Sequence, residues 1–389
     1  MEDGMARTIS VFLVLGIVSA TSILCAYNPF AKEKNKLFPV YADSGYGFID
    51  KTGKLVVAPQ FDEVGRFSEG LVSVRVGDKW GYIDTTGDLV IAPQYDRAWW
   101  FSEGLASVSV DTNSGYIDTC GSYVIEPQYR SAWPFIEGVA RVQRDLRGAS
   151  LYIDKAGNEV LSLVGTNQSR SFSEGLMRVQ LDMLNSGLKW GYFDKSGELV
   201  IPARYDIAED FSQGVARVTV EEKWGYIDRE GKWFIEPKYF NAADFSEGFA
   251  AVLVGPGWGY INRAGKLVVE PVYITSSGLN NTLSHGFLEG LASVETDNGF
   301  GFIDTTGTIV IPARYEFAWG FHEGFATVLL NNKWGYINKS GELVVQPQYD
   351  KAGWFDNGLA KVTIGNKTGY INTSGSYIWP LTEIPMRRY

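Results

Sequence analysis

Cysteine and histidine are almost missing from this chain: 389 residues contain two of each, Cys25 and Cys120, His285 and His322. At most one intrachain disulfide can form, and none if Cys25 leaves with a cleaved leader, so the fold has to rest on packing. The histidines bring no further ligands at a recognisable spacing, and Cys120 has no histidine near it in sequence. Metal and nucleophile sites are therefore without support, and we expect no metal, no cofactor and no enzyme activity. A basic excess is missing too. With 35 Lys and Arg against 45 Asp and Glu, the formal net charge is −10; a surface of that sign does not hold a phosphate backbone, which excludes nucleic acid as a partner. Glycines are plentiful, yet none falls in a phosphate-cradling loop between a strand and a helix.

Long apolar runs are missing except for one. From Thr8 to Ala31 there is no charge, and Ile9 to Ile17 is almost wholly apolar. Two readings fit residues 1–26: a signal peptide cleaved after Ala20, or an uncleaved anchor just long enough to cross ~30 Å of hydrocarbon. Both send the rest of the chain out of the cytoplasm, to the periplasm or beyond, the second with its N-terminus attached to the membrane. Residues 27–36 then form a linker.

What the chain has is repetition. Lys79-Trp80-Gly81-Tyr82-Ile83-Asp84 recurs in varied form ten times, with its central glycine at 47, 81, 115, 191, 225, 259, 301, 335 and 369 and Leu151 in the fourth copy. Most steps are 34 residues, and a period of this size marks a repeat architecture whose units lean on their neighbours. Within residues 71–104, Leu71 to Val76 alternates as a strand, Gly77-Asp78 is a hairpin signal, and Trp80 to Asp84 is a second strand. Asp84-Thr85-Thr86-Gly87 is a turn. Leu89 to Ala92 is a third strand, apolar on both faces and ended by Pro93, and Gln94 to Gly104 leads to the next unit. A glycine inside a central strand is costly; the expected reason is room for an aromatic ring of a neighbouring module. In the fourth copy Ser150-Leu151 replaces Trp-Gly, an exchange that roughly conserves volume.

The fold class predicted is all-β: a tandem array of ten three-stranded antiparallel meanders over residues 37–380, followed by a C-terminal tail at 381–389. About 34 residues is short for a propeller blade of ~40–45, which favours an open or spiral array, with a closed propeller-like ring as the alternative. Insertions fall between Thr275 and Gly286 and around the fourth copy, at Arg144 to Ala149 and Asp182 to Leu188, where the third-strand proline is also missing.

The Trp-Gly-Tyr-Ile-Asp core, the Asp-x-x-Gly turn, the Pro-Gln-Tyr-Asp segments at 93–96 and 347–350, and the Phe-Ser-Glu-Gly segments at Phe67, Phe101, Phe172 and Phe245 together resemble WG (KWG) repeats, a mainly bacterial family. The resemblance covers roughly residues 37–380. It implies a β-repeat build and carries over no catalytic residue; the fourth copy departs most from the pattern.

The repeated acids read as structural. Turn-opening Asp50, Asp84, Asp118, Asp154, Asp194, Asp228 and Asp304 alternate with Asn262, Asn338 and Asn372, which share an acceptor oxygen but no charge. The linker glutamates, from Glu69 to Glu323, are expected to accept hydrogen bonds from backbone or indole N–H groups. Binding candidates are residues that vary on a constant frame. Just before the linker phenylalanines stand Trp99, Trp100, Trp133, Trp319 and Trp354, where other copies carry Glu, Asp, Ala or Gly. Exposed tryptophan is uncommon and enriched at interfaces. We expect Trp99, Trp100 and Trp133 to line one aromatic platform and Trp319 and Trp354 another, with His285 a further contact. The predicted function is an exported, non-catalytic scaffold for an unidentified protein partner, with cell-envelope glycan as the alternative.

Overall fold

The structure is a computed structural model describing residues 36–42, 45–145, 150–163, 171–183, 187–273 and 286–383. Its described residues form ten small antiparallel sheets and no helix. Each sheet is built on the predicted meander. In the second, Leu71–Val76 pairs with Lys79–Asp84, which pairs with Leu89–Tyr95. Seven of the ten sheets carry a fourth strand that the meander lacks, laid against the first long strand: two residues in six of them, such as Arg97–Ala98 or Lys351–Ala352, and Phe317–His322 in the ninth. The three-stranded sheets are the first, the fifth and the eighth. The residues that follow the preceding blade's last strand in these three cases, 384–389, 164–170 and 274–285, lie outside the described residues.

The glycine of the central strand has a different cause from the one expected. Along that strand Trp80 pairs with Tyr95 and Tyr82 with Ile91, so one residue faces three across the ladder. The third strand therefore bulges over Gly81, and a Cβ there would sit 2.4 Å from the Ile91 carbonyl oxygen and 2.7 Å from the Pro93 nitrogen. It is the sheet's own bulged backbone, not a neighbour's ring, that forbids a side chain. The fourth sheet confirms the cause by exception: Ser150, Leu151 and Tyr152 pair with Leu163, Ser162 and Leu161 one for one, without the bulge, and a leucine fits. The third strand is also not apolar on both faces in effect. Leu89 is exposed, while Ile91 and Tyr95 are buried.

Most consecutive sheets are pinned by the same contacts, with Phe48 and Phe302 keeping the ring contact without a hydroxyl. The central-strand tyrosine crosses to the next linker: the Tyr82 hydroxyl donates to the Trp99 carbonyl at 2.7 Å and its ring meets Phe101 edge-on at 5.0 Å. Burial raises the phenols of Tyr82, Tyr116, Tyr192 and Tyr226 well above their ordinary range. The linker glutamate crosses as well. Glu69 accepts from the N–H groups of Glu103 and Gly104, Glu247 from Glu289 and Gly290, and Glu323 from Asn357 and Gly358. Each glutamate sits at positive φ ahead of a positive-φ glycine, in a two-residue turn whose usual first residue is Asn. A longer carboxylate there reaches the next turn; Asn357-Gly358 ends the series. The turn-opening acids also do what was expected of them. Asp304 Oδ1 accepts from the Thr306 N–H and hydroxyl and the Thr308 N–H, and Asn338 Oδ1 accepts the same set from Ser340 and Glu342.

The open array is corrected to a closed ring of ten blades, because the first and last sheets meet as any neighbours do. Phe38, Val40 and Ile49 share one core with Leu359 and Tyr370. Phe38 meets Tyr370 edge-on at 5.5 Å, taking the place a linker phenylalanine takes elsewhere. Lys36 pairs with Asp356, and Gly53 lies against Ile378 as Gly87 lies against Val57. The last strand, Tyr377–Glu383, takes in the first residues of the predicted tail. A repeat shorter than a usual blade fits the ring with little chain in the fourth strand, which is two residues long in six of the blades. Among the described residues no helix is long and apolar enough to cross a membrane; the apolar run at 8–31 lies outside them.

Candidate functional site

Trp99, Trp100, Trp133 and Trp354 are carried on the segment between a two-residue strand and the buried phenylalanine, and Trp319 within the strand Phe317–His322. The backbone there is held by the frame: the Trp99 N–H donates to the Ser107 carbonyl and the Trp133 N–H to Arg141, each at about 3 Å, and their own carbonyls accept the tyrosine hydroxyls of Tyr82 and Tyr116. The main chain is thus fixed whatever side chain it bears. Other blades use the same positions differently: Glu209 and Asp210 both pair with Arg178, and Asp244 pairs with Arg217.

Trp99 is 41 % exposed, Trp319 41 % and Trp354 60 %, while Trp100 and Trp133 are partly buried. Of the first predicted group, Trp99 and Trp133 line one cleft of ≈ 400 Å³ between the third and fourth blades. Trp100 meets Trp99 edge-on at 5.2 Å, but its own face is covered by the Arg66 guanidinium at 3.8 Å. Trp133 also borders a second cleft of ≈ 230 Å³, where Arg141 lies over its ring at 4.6 Å. The second predicted pair has separate partners: Trp319 packs on Phe317 at 5.1 Å and Trp354 on His322 at 5.3 Å. His285 and residues 275–284 of the insertion lie outside the described residues.

A third cleft, ≈ 190 Å³, lies at the ring seam among Tyr41, Tyr46, Tyr370 and Thr368. These three clefts share a feature that sequence reading missed. Each adjoins a blade whose central-strand tryptophan is a small residue: Ser114, Ser150 and Thr368. Elsewhere that ring fills the corner, as Trp80, Trp224, Trp258 and Trp334 do against their blade cores. The signal was in the sequence, as departures from the repeat, but its meaning depends on knowing that the tryptophan plugs a space between blades. Cys120 donates its backbone N–H to Asp118 in a turn and does not line any of these clefts. Among the described residues, no three His, Cys, Asp or Glu side chains are placed to hold a metal ion.

No curated protein matches this chain in sequence. Among solved structures, it is similar to a eukaryotic initiation factor at 10 % identity and TM-score 0.49, covering 80 % of this chain and 95 % of that one. It is also similar to the extracellular domain of a putative hybrid two-component system from B. thetaiotaomicron at 10 % identity and TM-score 0.29, covering 90 % of this chain and 63 % of that one, and so spans under two thirds of it. Kluyveromyces lactis Hsv2p gives 10 % identity and TM-score 0.33, covering 58 % of this chain and 88 % of that one. None of these likenesses bears on activity. The family model for the WG-containing repeat is different in kind, matching at residues 46–80, 80–111, 115–145, 190–224, 224–255, 258–273, 300–334 and 334–367. With most of the ring accounted for repeat by repeat, the chain belongs to the WG-repeat family.

Proposed function

We propose that this ring is a non-catalytic binding scaffold working outside the cytoplasm, and that its main partner is another protein. One observation carries the reading: large rings stand exposed at Trp99, Trp319 and Trp354, at frame positions that other blades fill with Glu, Ala and Asp. Exposed tryptophans on a fixed backbone supply contact area with little ordering cost, as binding hot spots do. Export rests on the uncharged run from Thr8 to Ala31. The test is capture from the native envelope by the full chain and by a Trp319→Ala, Trp354→Ala variant. Loss of capture with an unchanged thermal melt supports the scaffold; intact capture with a large drop in Tm rejects it.

A second reading, cell-envelope glycan, is favoured by the placement of Trp99 and Trp133 on one cleft. Sugar rings stack on aromatic faces, and a cleft of a few hundred Å³ is the size that encloses a small ligand. Binding of isolated cell-wall glycan, measured beside the envelope capture, separates the two.

A further inference from the structure

At the junction of two regular blades one corner is built from three residues. Lys79, next to Trp80, pairs with Asp96 across the sheet, and Asp96 also accepts the N–H of Asp111 at the next hairpin tip. The same corner recurs as Lys189, Trp190 and Asp206 with the Glu221 N–H, and as Lys333, Trp334 and Asp350 with the Gly365 N–H. Between the third and fourth blades all three residues change together, to Asn113, Ser114 and Arg130. The tryptophan is gone, and the acid has become a base. Ser114 fills little of the space, its hydroxyl meeting Ser109 at 2.9 Å, and the ≈ 400 Å³ cleft opens there. Arg130 reaches only the Thr112 carbonyl, at 3.3 Å. Arg97 joins it on the wall, and neither guanidinium has an ion-pair partner among the described residues. Asp111 is the one carboxylate on the lining, so the cleft is net positive on a chain of net charge −10.

We infer that this corner binds an acidic saccharide, its sugar ring against Trp99 and Trp133 and its carboxylate on Arg130 and Arg97. The guanidinium fork matches a carboxylate in two parallel hydrogen bonds. Flanking indoles take the apolar face of a pyranose, and the hydroxyls of Ser109 and Ser114 are the short donors and acceptors that sugar hydroxyls meet. The inference deepens the glycan reading and rests on it.

The test titrates the full chain with trigalacturonate, and in parallel with neutral maltotriose, following tryptophan fluorescence and heat. The acidic trisaccharide is expected to bind at least about tenfold tighter than the neutral one. Arg130→Asp, which restores the regular acid, weakens it by about tenfold or more. Ser114→Trp, which restores the regular plug, abolishes it without lowering Tm. Equal binding of both saccharides, unaffected by Arg130→Asp, overturns the acidic assignment while the glycan reading stands. Binding that survives Ser114→Trp overturns the site, and failure of both saccharides to bind overturns the inference and the glycan reading together.

Discussion

The fourth and ninth blades carry the same three long strands and differ in how the third meets the second. In the ninth, Trp334 pairs with Tyr349 and Tyr336 with Val345, and the extra residues arch over Gly335. In the fourth, the corresponding residues pair one for one beneath Leu151. From the turn glycine to the last paired residue the ninth blade uses Gly341 to Tyr349, and the fourth only Gly157 to Leu163, two residues fewer. The residue after the family's tryptophan is therefore not an independent choice. Strand length sets the bulge, the bulge sets the room for a side chain, and glycine or leucine follows.

Forcing the ninth blade's central residue toward the fourth's breaks this comparison most severely. Gly335→Leu places a Cβ 2.6 Å from the Val345 carbonyl oxygen and 2.7 Å from the Pro347 nitrogen, both backbone atoms. It is expected to cost about 3–5 kcal/mol in a denaturant melt. Deleting Gln346 and Pro347 in the same chain removes the arch and should return a substantial part of that loss. Absence of any rescue would refute the coupling between bulge and glycine.

The reverse change is milder. Leu151 is 6 % exposed in a core with Tyr116, Ile125 and Phe135. Leu151→Ala leaves a cavity rather than a clash and should cost about 2–3 kcal/mol. A neutral result would mean that the fourth blade is loosely packed and that its regular register is incidental.

Smaller again is the loss of one glutamate pin. Glu323→Ala removes hydrogen bonds to two N–H groups of the tenth blade and keeps a Cβ at φ 52; the cost expected is about 1 kcal/mol. The pins carry a pH signature. For Glu137 and Glu289, burial acts to raise the carboxyl, but it is outweighed by hydrogen bonds from the next blade, with Gly175 N–H and Lys195 on the first and Lys339 and Gly324 N–H on the second. The folded value lies below the ordinary 4.5, so this stabilisation is complete above about pH 4.5 and fades as pH falls through the depressed values. An acid melt of the Glu137→Gln, Glu289→Gln variant should accordingly be less steep below pH 4.5 than that of the parent. Least of all, Lys333→Ala breaks a surface ion pair with Asp350 and should shift stability by under about 0.5 kcal/mol.

The strands, the turns and the structural role of the repeated acids were legible in the sequence because each is local: alternation at 71–76, an acceptor oxygen before a glycine at 84–87, Asp exchanging with Asn. The two-residue fourth strand was not, since Arg97-Ala98 is too short to show any period. Ring closure was not, because no single repeat encodes the angle to its neighbour. Trp99 and Trp133 could be singled out from their variability, but the cleft they share depends on Ser114 and Arg130. Those residues stand where the second blade carries Trp80 and Asp96, and only the structure shows that the two positions share one corner between blades.

The seam between Phe38 and Tyr370 reproduces, with different residues, the pin between every other pair of blades. Among the described residues, nothing in it threads one end of the chain through a sheet begun by the other. Synthesis order is therefore a convention that the finished ring does not remember. Joining residue 383 to residue 36 through a short linker and cutting instead at an exposed hairpin tip such as Asn331-Asn332 should yield a circular permutant with the same ring and the same clefts.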